Sequence, residues 1–305
     1  MLSFFKSTLS WLANWVRLLN TLDARLDSLQ LNLGTLLAER NKSREEQDLQ
    51  AYEFKVFSQW GEDGIIQRLI QIVPIKNRTF IEFGVEDFSE SNCRFLLIKN
   101  NWHGFVVDGS AKNIRRLKAS HYFWKYQLLA EASFLNLDNI NTVLARSGFD
   151  QDLGILSIDV DGNDYHLLRE IRGFSPRILI CEYNALFGPS RMITVPYEPT
   201  FVRGEKHYSH LYFGASLAAL SFLADQKGMS LVGTNRAGVN AFFVRNDLLG
   251  NSLRRLTPEE AFTDSTARES RDPYGTLSFV GGGNRHKLIR GMPVINVANG
   301  TTEEF

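Results

Sequence analysis

The sequence predicts an α/β protein: a mostly parallel sheet that ends in an antiparallel hairpin, preceded by a long N-terminal helix. Three observations carry this. Short apolar runs alternate with amphipathic segments from Thr79 to Tyr183, the pattern of strand–helix–strand units with right-handed crossovers. Two later runs, MSLVGTN and NAFFVRN, are separated only by a short turn at Ala237 and Gly238. That is too close for a crossover helix, so the pair must be antiparallel. Finally, an apolar seven-residue repeat fills most of the first forty residues.

In that repeat, Phe5, Leu12, Trp15, Leu19, Leu22, Leu26, Leu29, Leu33 and Leu36 fall on successive a and d positions, and only Thr8 breaks the series. Such a stripe must be buried somewhere, so residues 5–36 are expected to join copies of the chain. One competing expectation is a single helix lying on its own domain. The other is membrane-surface contact through Phe4, Phe5, Trp11 and Trp15 beside Lys6 and Arg17. Lys6 and Arg17 leave too few uncharged residues between them for a membrane span, and no small-residue cleavage site follows. The charged run ERNKSREEQDLQ closes the segment. The expected organisation is residues 1–50 as helix and linker, 51–249 as the main domain, and 250–305 as an extension packed on it. The sequence assigns that extension no role, and Gly281, Gly282 and Gly283 mark a flexible break within it.

The elements follow in order. FSQWGEDGIIQRLIQIV is a helix with Ser58 as a candidate cap, ended by Pro74. Thr79–Phe83 is a strand, RFLLIKN a helix, Gly104–Asp108 a strand and AKNIRRLKA a helix. A weaker strand lies around Tyr126–Leu129, and Leu137–Gly148 is helical. LSIDVDG is the next strand, YHLLREIRG the next helix, and Arg177–Tyr183 another strand. A long loop runs to about Tyr212, and SLAALSFLADQKG is a helix stopped by Gly228. Five parallel strands plus a terminal hairpin resemble the class I methyltransferase (Rossmann-like) sheet; a nicotinamide-binding sheet is usually all parallel. With 44% hydrophobic and 22% charged residues the chain is ordinary for a globular protein, and its formal net charge of zero argues against nucleic-acid binding. Its two cysteines, Cys93 and Cys181, sit in apolar runs. No disulfide framework is expected, and a cytoplasmic location, peripheral at the membrane if the first helix docks there, fits best.

The most informative stretch is LGILSIDVDGNDYHLL, Leu153–Leu168. It reads as a buried strand running into carboxylates and then a helix. Asp159 and Asp161, two apart, point the same way on an extended backbone. Gly162 allows a tight turn, and Asn163 or Asp164 can cap the helix. The plain alternative is that these acids only make the turn. Upstream, Glu82-Phe-Gly84 closes the first strand, and Asp108 closes the second twenty-four residues after Gly84. In a doubly wound sheet the first turn approaches a ligand, and the second-strand acid accepts hydrogen bonds from ribose hydroxyls. Here that turn reads EFGVEDFSESN, without G-x-G-x-x-G and with Glu86, Asp87 and Glu90 added. These acids repel a diphosphate and favour a cationic sulfonium donor, S-adenosylmethionine, over NAD or a nucleotide sugar.

TFIEFGVEDFSESNCRFLL, GFVVDGS and LSIDVDGNDYHLL, with SQWGEDG upstream, resemble the FkbM-type branch of class I S-adenosylmethionine-dependent methyltransferases. The resemblance covers roughly Phe57 to Asp247. It implies that Glu82 and Gly84 contact the methionine part of the donor and that Asp108 holds its ribose. Asp159 is counted with these cofactor-binding residues.

On the acceptor side, Asp161, Glu182 and Asn184 are the candidate ligands of a Mg²⁺ ion, because two adjacent strand ends bear oxygen ligands. Such an ion would bind an acceptor hydroxyl and lower its pKa. Without metal, Asp161 or a histidine becomes the base. The long loop supplies His207 and His210 as further catalytic candidates, among aromatic and polar residues suited to a sugar or another polyhydroxy acceptor. The expected function is therefore O-methylation of a hydroxyl on a glycan or secondary metabolite. The rivals are a nucleotide- or nucleotide-sugar-binding Rossmann enzyme and an inactive methyltransferase-like scaffold organised by its first helix.

Overall fold

Seven strands form one sheet in the order β3-β2-β1-β4-β5-β8-β7 in a computed structural model that describes residues 2–305. They are β1 (Thr79–Phe83), β2 (His103–Asp108), β3 (Leu128–Ala132), β4 (Ile155–Ile158), β5 (Ile178–Glu182), β7 (Met229–Thr234) and β8 (Asn240–Arg245). The first five run parallel; β8 is antiparallel to both β5 and β7. This is the Rossmann-like sheet with a terminal hairpin that the strand pattern predicts. The order reverses between β1 and β4, the point at which such sheets bind ligands beyond their carboxyl ends. Phe83 pairs with both Val107 and Ile158, so the chain leaves β1, β2 and β4 side by side.

The central strands are apolar on both sides because both faces are covered. Ile81, Phe83, Leu156, Ile158 and Leu179 face one core, with α5 (Ile140–Ala145), α6 (Asp164–Glu170) and α8 (Leu217–Gln226). Phe80, Val106, Ile155, Ile178 and Ile180 face the other, with α2 (Glu62–Ile72), α3 (Arg94–Asn100) and α4 (Ala111–Lys118). Ser216 caps α8, and Gly228 ends the turn after it at φ 73°. Three expectations shift. The weak strand lies at Leu128–Ala132 rather than Tyr126–Leu129, because β3 is a half-exposed edge with little apolar signal. The helix expected at Leu137–Gly148 is only Ile140–Ala145, because Asn136 and Asn139 bond each other's backbone and make a turn first. The N-cap position of α2 is Gly61 rather than Ser58, but the Ser58 hydroxyl still accepts the Asp63 amide in the first turn and donates to the Asp63 carboxylate.

The long loop and the tail meet in a second sheet. β6 (Ile193–Thr194) pairs antiparallel with β9 (Pro293–Asn296), which pairs with β10 (Thr302–Glu304). The loop also contains α7 (Arg203–Lys206); α9 (Pro258–Ala261) and α10 (Gly283–Leu288) belong to the tail, and α10 starts where the triple glycine predicted a break. Leu186, Phe187, Phe201, Leu211 and Val294 pack beneath this sheet.

Helix α1 (Leu2–Asn41) precedes everything else. Its side chains are described for Trp11, Leu18 and from Thr21 onward. Phe5, Leu12, Trp15 and Leu19 of the predicted seam lie outside them, as do Phe4, Lys6 and Arg17. Among the described residues no helix is long and apolar enough to cross a membrane.

Candidate functional site

At the switch point a cleft of about 590 Å³ opens over the carboxyl ends of β1, β4 and β5. Its wall is acidic. Glu82, Glu86 and Glu90 come from β1 and the turn after it, Asp159 and Asp161 from the turn after β4, Glu182 from β5 and Glu269 from the tail. Only Arg203 and His210 oppose them among the described lining residues. A pocket of about 90 Å³ adjoins it, sharing Gly84 and Phe134 and lined also by Asp108, Val160 and Asn163.

The turn after β4 is built by Asp164. Its carboxylate accepts the amides of Val160 at 2.8 Å and Gly162 at 2.9 Å, folding residues 160–163 back over the strand end. Burial raises Asp164 to about 6 against these two bonds. Asp161 then sits at φ 57°, a left-handed conformation that a non-glycine residue adopts at a cost. Glu86 (φ 48°) and His210 (φ 59°), which also line the cleft, share that strain. Such outliers gather where function needs a fixed geometry.

Gly84 is needed for a different reason than the sequence suggests. A Cβ there would lie 1.5 Å from the carbonyl oxygen of Asp159, so its first task is to let β1 and β4 close together, with a ligand second. Glu82 is also committed. It accepts from Ser91 Oγ at 2.6 Å and from the amides of Asn92 at 2.8 Å and Cys93 at 3.2 Å. These bonds hold the start of α3, and burial pushes Glu82 up to about 7. Asp108 accepts the amides of Glu86 and Ser110, both at 2.8 Å, which ties the first turn to the end of β2.

Asp159, Asp161 and Glu182 each bring an oxygen to within 4.8 Å of the others. Burial, reinforced by Asp161 and Asp164, raises Asp159 well above the usual carboxylate range. Burial, reinforced by Asp159 and Asp161, does the same to Glu182. Glu182 is 8% exposed, and its Oε2 is buried with no hydrogen-bond partner. Arg203 stands over the group. It donates to Asp161 at 2.9 Å and to the carbonyl of His210 at 2.5 Å, and stacks on Phe213. Burial works against its charge, but Glu182 and Asp161 outweigh that and keep it protonated. Two more buried oxygens lack partners: Asn240 Oδ1, whose residue lines the cleft, and Asn163 Oδ1, whose residue lines the smaller pocket.

The structure thus brings Glu82, Gly84, Asp159, Asp161, Glu182 and His210 to one cleft, and Asp108 to the pocket beside it. Two candidates fall elsewhere. Asn184 does not join the expected ligand set. Its Nδ2 donates to the carbonyls of Leu211 and Phe213, and its Oδ1 accepts the Leu186 amide. Asp159 completes the trio instead. His207 is outside the cleft lining; its Nδ1 bonds Ser209 Oγ at 2.7 Å, and its ring lies against Tyr208. Burial lowers its pKa. The sequence marks Asn163 only as a candidate helix cap and Arg203 only as one polar residue of the long loop, and it does not single out Glu269. Glu269 reaches within 3.6 Å of His210 from a tail that carries no motif.

No protein-family model matches the chain, and no curated protein matches it. Solved structures resemble part of it. The chain is similar to the magnesium protoporphyrin IX methyltransferase of Synechocystis PCC 6803, solved with bound SAM: TM-score 0.39, 11% identity, 60% of this chain and 77% of that one. It is similar to a S-adenosylmethionine-dependent methyltransferase of Clostridium acetobutylicum ATCC 824: TM-score 0.37, 9% identity, 60% of this chain and 90% of that one. It is also similar to the fibrillarin pre-rRNA processing protein of Methanococcus jannaschii: TM-score 0.37, 9% identity, 56% and 68%.

Proposed function

We propose that the chain is an S-adenosylmethionine-dependent methyltransferase acting on a hydroxyl of a glycan or a secondary metabolite. The observation that carries this reading is the charge of the cleft. Seven carboxyl groups from β1, β4, β5, the turns after them and the tail line one cavity at the switch point, against one arginine and one histidine; burial makes Glu82, Asp159 and Glu182 hold protons that an entering cation can displace. A diphosphate would enter against that field, whereas a sulfonium is drawn in.

The residues fit such a donor. Asn163 Oδ1, buried and unpartnered beside the smaller pocket, is free to accept from an adenine amino group. Asp108 holds the first turn through the Glu86 amide, also accepts from Ser110 and Asn113 beyond β2, and keeps a lone pair for a ribose hydroxyl. When bound, S-adenosylmethionine supplies a methyl carbon already activated by positive sulfur. What remains for the chain is to align the acceptor oxygen and take its proton. Asp159, Asp161 and Glu182 surround that position, and the raised affinity of Asp159 and Glu182 for protons suits a base. Arg203 fixes Asp161 in place.

The same three carboxylates suit a hard divalent cation such as Mg²⁺, and the unpartnered Glu182 Oε2 is the atom that most needs one. A bound cation would lower the pKa of the acceptor hydroxyl.

Calorimetry of the full chain with S-adenosylhomocysteine, NAD⁺ and a nucleotide sugar, each with and without MgCl₂, tests both parts. Binding of S-adenosylhomocysteine alone of the three is expected, with Mg²⁺ binding lost in Glu182→Gln. Nucleotide-sugar or NAD⁺ binding without S-adenosylhomocysteine binding overturns the assignment.

A further inference from the structure

We infer that α1 joins two copies of this chain in a parallel coiled coil, independently of the chemistry in the cleft. The helix has two apolar faces, and the fold uses only one. On one side Leu31, Gly34 and Ala38 pack against Phe54, Val56, Phe57 and Phe95. Asp27 pairs with Arg94 at 2.5 Å, and Asn41 donates to the carbonyl of Tyr52 at 2.8 Å. Gly34 seats the helix closely, because a Cβ there would meet Val56 Cγ2 at 2.3 Å.

The other face is the predicted seam. Leu22, Leu26, Leu29, Leu33 and Leu36 are between 44% and 68% exposed. In the heptad they alternate between a and d, while Asp27, Leu31, Gly34, Ala38 and Asn41 occupy b and f. At ~100° per residue the two sets are centred about 140° apart, so most of the seam turns away from the domain, while Leu26 and Leu29 also border an open groove shared with Asp87, Arg116 and His121. Leu18 and Trp11, 50% and 59% exposed, widen the seam at g positions.

A second copy of the same helix fits this face best. A 3.5-residue apolar repeat is what a facing helix of the same period fills, knob into hole. A membrane surface asks instead for basic residues on the opposite, polar face; here that face is spent on the domain. In a parallel pair each g residue meets the e residue five positions on. The described pairs are Leu18 with Asp23 and Arg25 with Gln30, so no like charges oppose one another, and Leu37, the e residue that would face Asn32, packs on the domain with Leu31 and Ala38. A 40-residue helix is ~60 Å long, enough for several heptads of such packing.

Light scattering on the full chain tests this. Wild type is expected at twice the 34.7 kDa chain mass. The triple variant Leu26→Glu, Leu29→Glu, Leu33→Glu is expected at the single mass with unchanged circular dichroism. A second readout covers the case in which the triple variant misfolds: Leu29→Cys should form a disulfide-linked dimer on mild oxidation and Ser28→Cys should not, since Cys93 and Cys181 are buried. A monomeric wild type, a dimer that survives the triple substitution, or a monomer that floats with anionic vesicles each overturns the inference.

Discussion

Replacing Glu82 by Gln should turn a pH-dependent weakness of the fold into a pH-independent one. Glu82 is 4% exposed, and burial raises its pKa from 4.5 to about 7. The native state therefore keeps a proton that the unfolded chain releases. Its contribution is complete below about pH 4.5 and is lost as pH rises through about 7. A rise of about 2.5 units at 1.36 kcal/mol each makes that loss about 3 kcal/mol. Glutamine has no proton to lose, so this component disappears. In exchange, its amide group sits where a carboxylate oxygen accepted from Ser91 or the Asn92 and Cys93 amides, at a cost of about 1–2 kcal/mol at every pH. The two stability curves should cross. Glu82→Gln should be the weaker protein near pH 5 and the stronger near pH 8. Urea denaturation followed by circular dichroism across this range measures it. The difference between the proteins isolates Glu82, because Asp63 and Asp164 titrate in both. Parallel curves would show that the proton on Glu82 is not what burial costs, and the reasoning would fail.

Three further outcomes follow from the same geometry. Gly84→Ala places a methyl on the Asp159 carbonyl at a positive φ; a loss beyond about 4 kcal/mol or insoluble protein is expected, and a melting temperature within a degree of wild type contradicts it. Asp164→Asn turns one acceptor of the Val160 and Gly162 amides into a donor; it should cost about 2–4 kcal/mol and speed hydrogen exchange at both amides, and unchanged exchange there would remove Asp164 as the builder of the turn. Arg203→Met removes the cation that lowers the pKa of Asp159 and Glu182; their protons should then be held more tightly, so that stability falls more steeply than in wild type as pH rises above the carboxylate range, and matching profiles would mean the guanidinium does not neutralise the group.

The parallel sheet was legible because its strands are short apolar runs ended by polar residues, and covering both faces demands that pattern. The side-chain directions at the strand ends were less so. Spacing by two puts residues on the same side only while the chain stays extended. β5 ends at Glu182, and Asn184 begins the next turn by accepting the Leu186 amide. Its side chain therefore leaves Glu182, although two residues separate them. β4 likewise ends at Ile158, before Asp159 and Asp161. Those two do converge, but because Asp164 folds the turn and Asp161 accepts φ 57°, not because a strand continues.

The counter-charges were out of reach for another reason. A carboxylate cluster declares itself locally, since its members end neighbouring strands. The cation that tempers it can come from anywhere the fold brings back. Arg203 lies 42 residues from Asp161, in a loop whose path is set by packing under β6, β9 and β10. Glu269 arrives from farther still. Charge balance nevertheless constrains what the sequence leaves open. One arginine cannot neutralise Asp159, Asp161 and Glu182 together, so the free protein meets the remainder by holding protons, which is what the raised Asp159 and Glu182 express. A positive ligand that enters must displace those protons, whereas a neutral or anionic one must leave them in place. The cleft therefore selects its ligand by charge before it selects by shape.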